Sequence, residues 1–435
     1  MRIQRLVATA LATVLLSGCT SLSLNGPDIL APPKAAGHRA EIQSLIEKDA
    51  GGAYALIYPA SGSHKSGIVM IDVDADGVEE AVAMYTTADG TPRMLTAKEQ
   101  DGHYRSTGAV KLPSAKITAV SFGDFNTDSV KEPVVSFDGG TTHSSLKAYM
   151  TGEELTEISV ADGYIDYITA DFDGNSADDI LLLRPAAGKD PAKGSLMTFD
   201  KGGFSEKSSC ETDSAVTSYA QLRYDKISDG LNGVIADGKR ADGEYTTQLI
   251  YYDSAAKMLV NPLLLNNSYL DSARTFSVAS ADIDGDGVFE IPLCSLTEHT
   301  KDEDVAAVCG RARWNSYDPE QMALTPKQDS ILCEKLGFIL KFDANVLNTV
   351  TARYTAENAV TLYALSFKDG DPVIGSELLT VKRYGKNSYD SSRTAEADLA
   401  ESSAYIYTYV LSEGSTFNHD DIKNSFTLLG AETIQ

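Results

Sequence analysis

Four stretches of this chain carry the same nine-residue acidic pattern, and nothing else in the sequence restricts its folding so strongly. They begin at Asp72, Asp124, Asp171 and Asp282. Oxygen-bearing side chains stand at positions one, three, five and nine. The sets are Asp72, Asp74, Asp76 and Glu80; Asp124, Asn126, Asp128 and Glu132; Asp171, Asp173, Asn175 and Asp179; and Asp282, Asp284, Asp286 and Glu290. Each set is followed by a short apolar run, as in Ala81 to Tyr85 and Ile180 to Leu183. The first three starts are 52 and 47 residues apart, and the fourth lies 111 further on, about two periods. A degenerate copy around Asp225 to Gly230, before Gly233 to Ala236, fills the gap and brings the repeat count to five. A fixed period of this kind is the mark of a repeat architecture.

Between the acidic segments lie short alternating stretches such as Ser145 to Met150 and Thr246 to Tyr252, separated by polar turns. About four strands in each period of roughly 50 residues is the pattern of propeller blades. On these residues the chain resembles the FG-GAP or VCBS repeat family, whose blades carry an Asp-x-Asp-x-Asp-Gly loop between their first two strands, as in the integrin α-subunit head. The resemblance implies a mainly β fold with a propeller over residues 50–330. Five blades are favoured and six are possible. The run Tyr54 to Tyr58 is expected to close the ring by joining the last blade.

Alternate acidic residues on a tight loop aim their oxygens at one centre, which suits a hard cation taking six to eight oxygen ligands. Gly77 and Gly287 at position six permit the sharp backbone turn; Ser129 and Ser176 stand there in the other two copies. An EF-hand would need an acid at position twelve, where this chain has Ala83, Val135, Leu182 and Leu293. One such loop alone reads equally as a polar turn whose Asp side chains cap backbone amides. Four copies favour calcium, structural rather than catalytic because every ligand comes from one loop, at three or four sites. The degenerate copy lacks the carboxylates and is expected to be empty.

The first residues bear on location. Arg2 and Arg5 precede an apolar run from Leu6 to Leu16, and Leu16-Ser17-Gly18-Cys19 follows. This has the layout of an export signal, and about 11 apolar residues fall short of the roughly 20 that span a bilayer. The tetrapeptide resembles the bacterial lipobox, which implies cleavage after residue 18, acylation of Cys19 and attachment to the outer face of the cell membrane. Ordinary signal cleavage with an incidental Cys is the alternative. Residues 19–49 then read as a tether, rich in Ser, Gly and Pro, with a short helix. The chain has a formal charge of −25; without Arg2 and Arg5 the mature part carries −25 − 2 = −27. That balance opposes nucleic acid as a partner. Cys210, Cys294, Cys309 and Cys333 have no CxxC spacing. Buried free thiols are the default, although Cys294 and Cys309 could face each other across a hairpin centred near Lys301 and Asp302.

Past residue 330 the acidic repeats stop. Residues 331–435 suggest further strands and a final helix capped by Asn418, and are similar to a small α/β domain that follows propellers in lipoproteins of Clostridia. No nucleophile elbow or phosphate-binding loop occurs. The expected function is therefore a membrane-anchored module that binds a protein or glycan. An envelope enzyme using the propeller channel, a glycan hydrolase or lyase, is the rival, and a cell-envelope assembly factor is a third reading. Trp314 with Arg311 and Arg313 reads as a core aromatic on a blade strand or as a recognition patch.

Overall fold

Strands pair almost throughout with their neighbours in sequence. The structure is a computed structural model and describes residues 37–140, 144–152, 154–265, 271–389 and 396–429. The expected signal segment, Cys19 and most of the tether lie outside the described residues. The first sheet holds β1 (Tyr54–Leu56), β2 (Ile68–Ile71), β3 (Glu80–Thr87), β4 (Pro92–Gln100) and β5 (His103–Lys111). The second runs β6 (Ile117–Gly123), β7 (Glu132–Phe137), β8 (Ser145–Met150) and β9 (Thr156–Asp162). The third runs β10 (Asp166–Ala170), β11 (Asp179–Arg184), β12 (Lys193–Asp200) and β13 (Gly203–Glu211). The fourth runs β14 (Val216–Ser228), β15 (Leu231–Arg240), β16 (Tyr245–Asp253) and β17 (Met258–Val260). The fifth begins β18 (Ile291–Leu296), β19 (Gly310–Asp318), β20 (Ala323–Cys333) and β21 (Phe338–Phe342). The sixth contains β22 (Val350–Ala356), β23 (Ala359–Lys368), β24 (Asp371–Gly385), β25 (Ala397–Glu401) and β26 (Tyr405–Leu411). Last comes β27 (Phe426–Leu428), which pairs with β21 on the edge of the fifth sheet.

The fold is mainly β, built of successive antiparallel sheets, and is consistent with a propeller-like arrangement. Consecutive sheets share apolar cores. Val82, Met84 and Met94 meet Ile117, Val135 and Phe137; Val134 and Leu146 meet Ile180 and Leu182; Leu181 and Leu196 meet Val234 and Ile250. The inner strands β7, β11 and β15 are buried on both faces over most of their length, which is why their centres show short apolar runs such as Ile180 to Leu183 and Val234 to Ala236 rather than alternation. Beyond the fifth sheet, Ile331, Phe338 and Leu340 pack with Val360, Leu379 and Tyr409 of the sixth. Asn418 caps the helix His419–Ser425 through a full capping box with Asp421. No described helix is long and apolar enough to cross a membrane.

Two expectations are corrected. Tyr54 to Leu56 does not join a last sheet; β1 pairs with β3, Tyr54 opposite Thr87 and Leu56 opposite Tyr85. The reason is length, since β2 covers β3 only from Glu80 to Ala83 and leaves the rest of that edge for β1. Cys294 and Cys309 do not face each other either. Cys294 lies opposite Ala312, and Thr297 donates its N–H to the Cys309 carbonyl. A helical turn at Val305–Ala307 takes up residues on the returning arm and shifts the register. All four described cysteines are free thiols. Trp314 is fully buried, with its indole N–H on Ser330 Oγ at 2.9 Å, so it belongs to the core.

Candidate metal centres

All four acidic loops are closed in one register. Ile71 pairs with Glu80, Gly123 with Glu132, Ala170 with Asp179 and Ala281 with Glu290. The acid at position nine thus opens the second strand directly beside the residue that precedes position one, and this returns its carboxylate into the loop. There it accepts the N–H of position two: Glu80 from Val73 at 3.0 Å, Glu132 from Phe125 at 3.3 Å, Glu290 from Ile283 at 3.0 Å. Position one accepts the N–H of position six, as Asp72 does from Gly77, Asp124 from Ser129, Asp171 from Ser176 and Asp282 from Gly287 at 2.9–3.0 Å. Position five accepts from position seven, as in Asp76 from Val78 and Asn175 from Ala177.

These bonds wind the backbone into the left-handed region twice per loop. Positions four and six hold φ of 55° and 86° at Ala75 and Gly77, 61° and 69° at Thr127 and Ser129, and 73° and 74° at Gly174 and Ser176. Glycine is absent at four of those six positions, and each non-glycine residue there costs on the order of 1 kcal/mol. The second and third loops keep the shape despite serine at position six. Adjacent loops are also joined: Lys131 donates its N–H to Val73, and Asp178 donates to Asp124.

The winding brings three carboxylate sets together. Asp72, Asp74 and Glu80; Asp171, Asp173 and Asp179; and Asp282, Asp284 and Glu290 each bring ligand oxygens within 4.8 Å of one another and could hold a metal ion. Asp124, Asn126, Asp128 and Glu132 form no such carboxylate set, because position three is an amide whose Nδ2 turns to Asp128 at 2.9 Å. Position five stands apart in the first and fourth loops. Asp76 and Asp286 pair with Lys98 and Lys327 at 3.0 and 3.2 Å.

Burial pushes the Glu132 and Asp179 carboxyls up to about 7, aided by the neighbouring acids, and raises Glu80 and Glu290 in the same direction. Asp74 Oδ1, Glu80 Oε1, Asp124 Oδ1 and Asp179 Oδ2 are buried without a hydrogen bond. Buried oxygens are rarely left so, and a cation is one way to satisfy them. An all-oxygen donor set suits magnesium, calcium or manganese rather than zinc or copper.

The lysines were not legible in the acidic pattern. Lys98 reaches Asp74 and Asp76 and lies 3.8 Å from Glu80, and Lys207 reaches Asp173. Each comes from a later strand of its own sheet, at no fixed offset from the loop.

No family model and no curated protein matches this chain. Among solved structures it is similar to a Bacillus licheniformis rhamnogalacturonan lyase PL11, at 10% identity and a TM-score of 0.30, covering 82% of this chain and 91% of that one. It is also similar to BBS1N in complex with ARL6DN, at 9% identity and a TM-score of 0.30, covering 84% and 97%. Likeness at that level carries no argument about activity.

Proposed function

We propose that the chain is an extracytoplasmic lipoprotein of the FG-GAP/VCBS type, held to the membrane through Cys19, whose calcium-stabilised propeller binds a protein or glycan. The observation that carries the calcium part is the recurrence of buried, unsatisfied carboxylate oxygens in register-matched loops. Calcium fits better than magnesium because each set offers three protein carboxylates, whereas magnesium usually keeps several waters and takes only one or two.

A cavity of about 460 Å³ supports the binding part. It is lined by the first strands of three successive sheets, with Ser121, Tyr167, Thr169 and Tyr219 among its walls. Hydroxyls on an aromatic-edged wall match the hydroxyls of a glycan. The enzyme reading draws on the same place: Asp166 lines the cavity, and burial pushes its carboxyl up to about 6, the range of a general acid.

A pull-down from envelope extracts with the chain lacking residues 1–19 tests the binding reading. A specific glycan or protein should be retained in calcium and released when Tyr167→Ala opens the cavity wall. Turnover of an envelope glycan that Asp166→Asn abolishes would instead establish the enzyme. The anchor has its own test. Radiolabelled palmitate should enter the wild-type protein, and Cys19→Ala should abolish labelling and free the chain from membranes. Unchanged membrane retention of Cys19→Ala would remove the lipoprotein reading.

A further inference from the structure

Cys309 immediately precedes β19 and Cys333 ends β20. Gly310 pairs with Leu332, so the same register carried one step further sets Cys309 opposite Cys333. The Cys309 N–H donates to the Ala352 carbonyl at 3.1 Å, and its own carbonyl accepts from Thr297 at 3.0 Å. The Cys333 carbonyl accepts from Gly337 at 3.0 Å. The two residues therefore turn their backbone hydrogen bonds away from each other, as in the non-hydrogen-bonded pair of an antiparallel ladder. In such pairs the Cα atoms are about 4.5 Å apart and the side chains are at their closest. That separation falls within the span of roughly 4.4–6.8 Å that a disulfide bridges. Both side chains are fully buried in one apolar cluster. Cys210 and Cys294 lie elsewhere, on β13 and β18.

We propose that Cys309 and Cys333 are an oxidation site and form a cross-strand disulfide. The bond would close where the fifth sheet meets the sixth, since Cys309 is held by Ala352 of β22. The oxidant is an external disulfide, either a small-molecule disulfide or that of an oxidoreductase. One cysteine thiolate attacks it and expels a thiolate; the second cysteine thiolate then attacks the mixed disulfide and expels the other. One S–S bond forms and one breaks, and the two electrons and two protons lost by the cysteines end on the oxidant's thiols. Because the thiols are buried, exchange takes place while the β19–β20 hairpin is still open, before the sheets close over it. Formation in the cell rests on the export reading, as disulfides persist outside the cytoplasm; the pairing itself does not.

The experiment is a thiol map of the full chain refolded from urea in oxidised glutathione, alkylated and digested without reductant. A peptide pair joining Cys309 to Cys333 and two hydrogens lighter is expected, with Cys210 and Cys294 alkylated. Reductant should lower the melting temperature of this species by several degrees, and Cys309→Ser should abolish both the pair and the shift. Alkylation of both Cys309 and Cys333, or a link from Cys309 to Cys294, overturns the proposal. The pair found after refolding but absent from protein isolated from cells would sustain the proposal and count against the export reading.

Discussion

Chelation of divalent ions is expected to lower the melting temperature of this protein by several degrees or more. Extracellular calcium modules bind with dissociation constants of about 0.1–1 mM. At about 1 mM free calcium, a site at the tight end of that range stabilises the fold by about 1.4 kcal/mol. Three such sites contribute on the order of 3–5 kcal/mol, a large part of ordinary domain stability. The pH dependence in chelator has a definite sign. Unfolded, the position-nine acids ionise near their ordinary value of about 4; folded, burial holds Glu132 and Asp179 up to about 7. Between those limits the folded state keeps protons that the unfolded chain has lost, so stability falls as pH rises through that window. Bound calcium favours the ionised form and flattens the slope. Unfolding curves from pH 4 to 8, with and without calcium, check both parts. A slope unaffected by calcium would dissociate these acids from the ion.

The second large effect is expected at a buried ion pair whose two residues belong to no acidic loop. Arg274 and Asp237 are 2% and 1% exposed and pair at 2.8 Å. The guanidinium also donates to the carbonyls of Ser272 and Val278, and Asp237 accepts from the Ser280 N–H and the Thr247 hydroxyl. The pair thereby fixes residues 272–280, which lead from the fourth sheet into the loop at Asp282. Breaking a buried pair by removing one partner leaves an uncompensated charge and costs about 3–5 kcal/mol. Arg274→Ala should therefore lower the urea midpoint sharply, and Arg274→Met combined with Asp237→Leu should recover much of the loss. A single variant that unfolds like wild type would mean that water reaches Asp237.

The acidic loops were legible because their information is local: residues one to nine bond to one another, so spacing alone announces them. The strands after them were legible for a similar reason, as burial on both faces writes Ile180 to Leu183 or Val234 to Ala236 as unbroken apolar runs. Contacts between distant residues were not. The left-handed position four falls on Ala75 and Thr127, residues that announce no turn. Lys98 and Lys207 arrive from later strands, and Arg274 meets Asp237 across 37 residues. The Cys309–Cys333 neighbourhood depends on the β19–β20 register, which shifts at a bulge between Trp314 and Asn315. In the second loop an Asn stands at position three where the other three have Asp, and its amide turns to Asp128, a contact that the spacing did not announce.

Calorimetric titration of the metal-free chain with calcium, repeated on Asp284→Ala, tests the ion-binding reading most directly. Three or four ions per chain are expected for the wild type and one fewer for the variant, with residues 331–435 unchanged by spectroscopy. No binding heat at about 10 mM calcium, beyond the weak end of the range for such modules, together with a melting curve indifferent to chelator, would show the loops to be polar turns and contradict the reading.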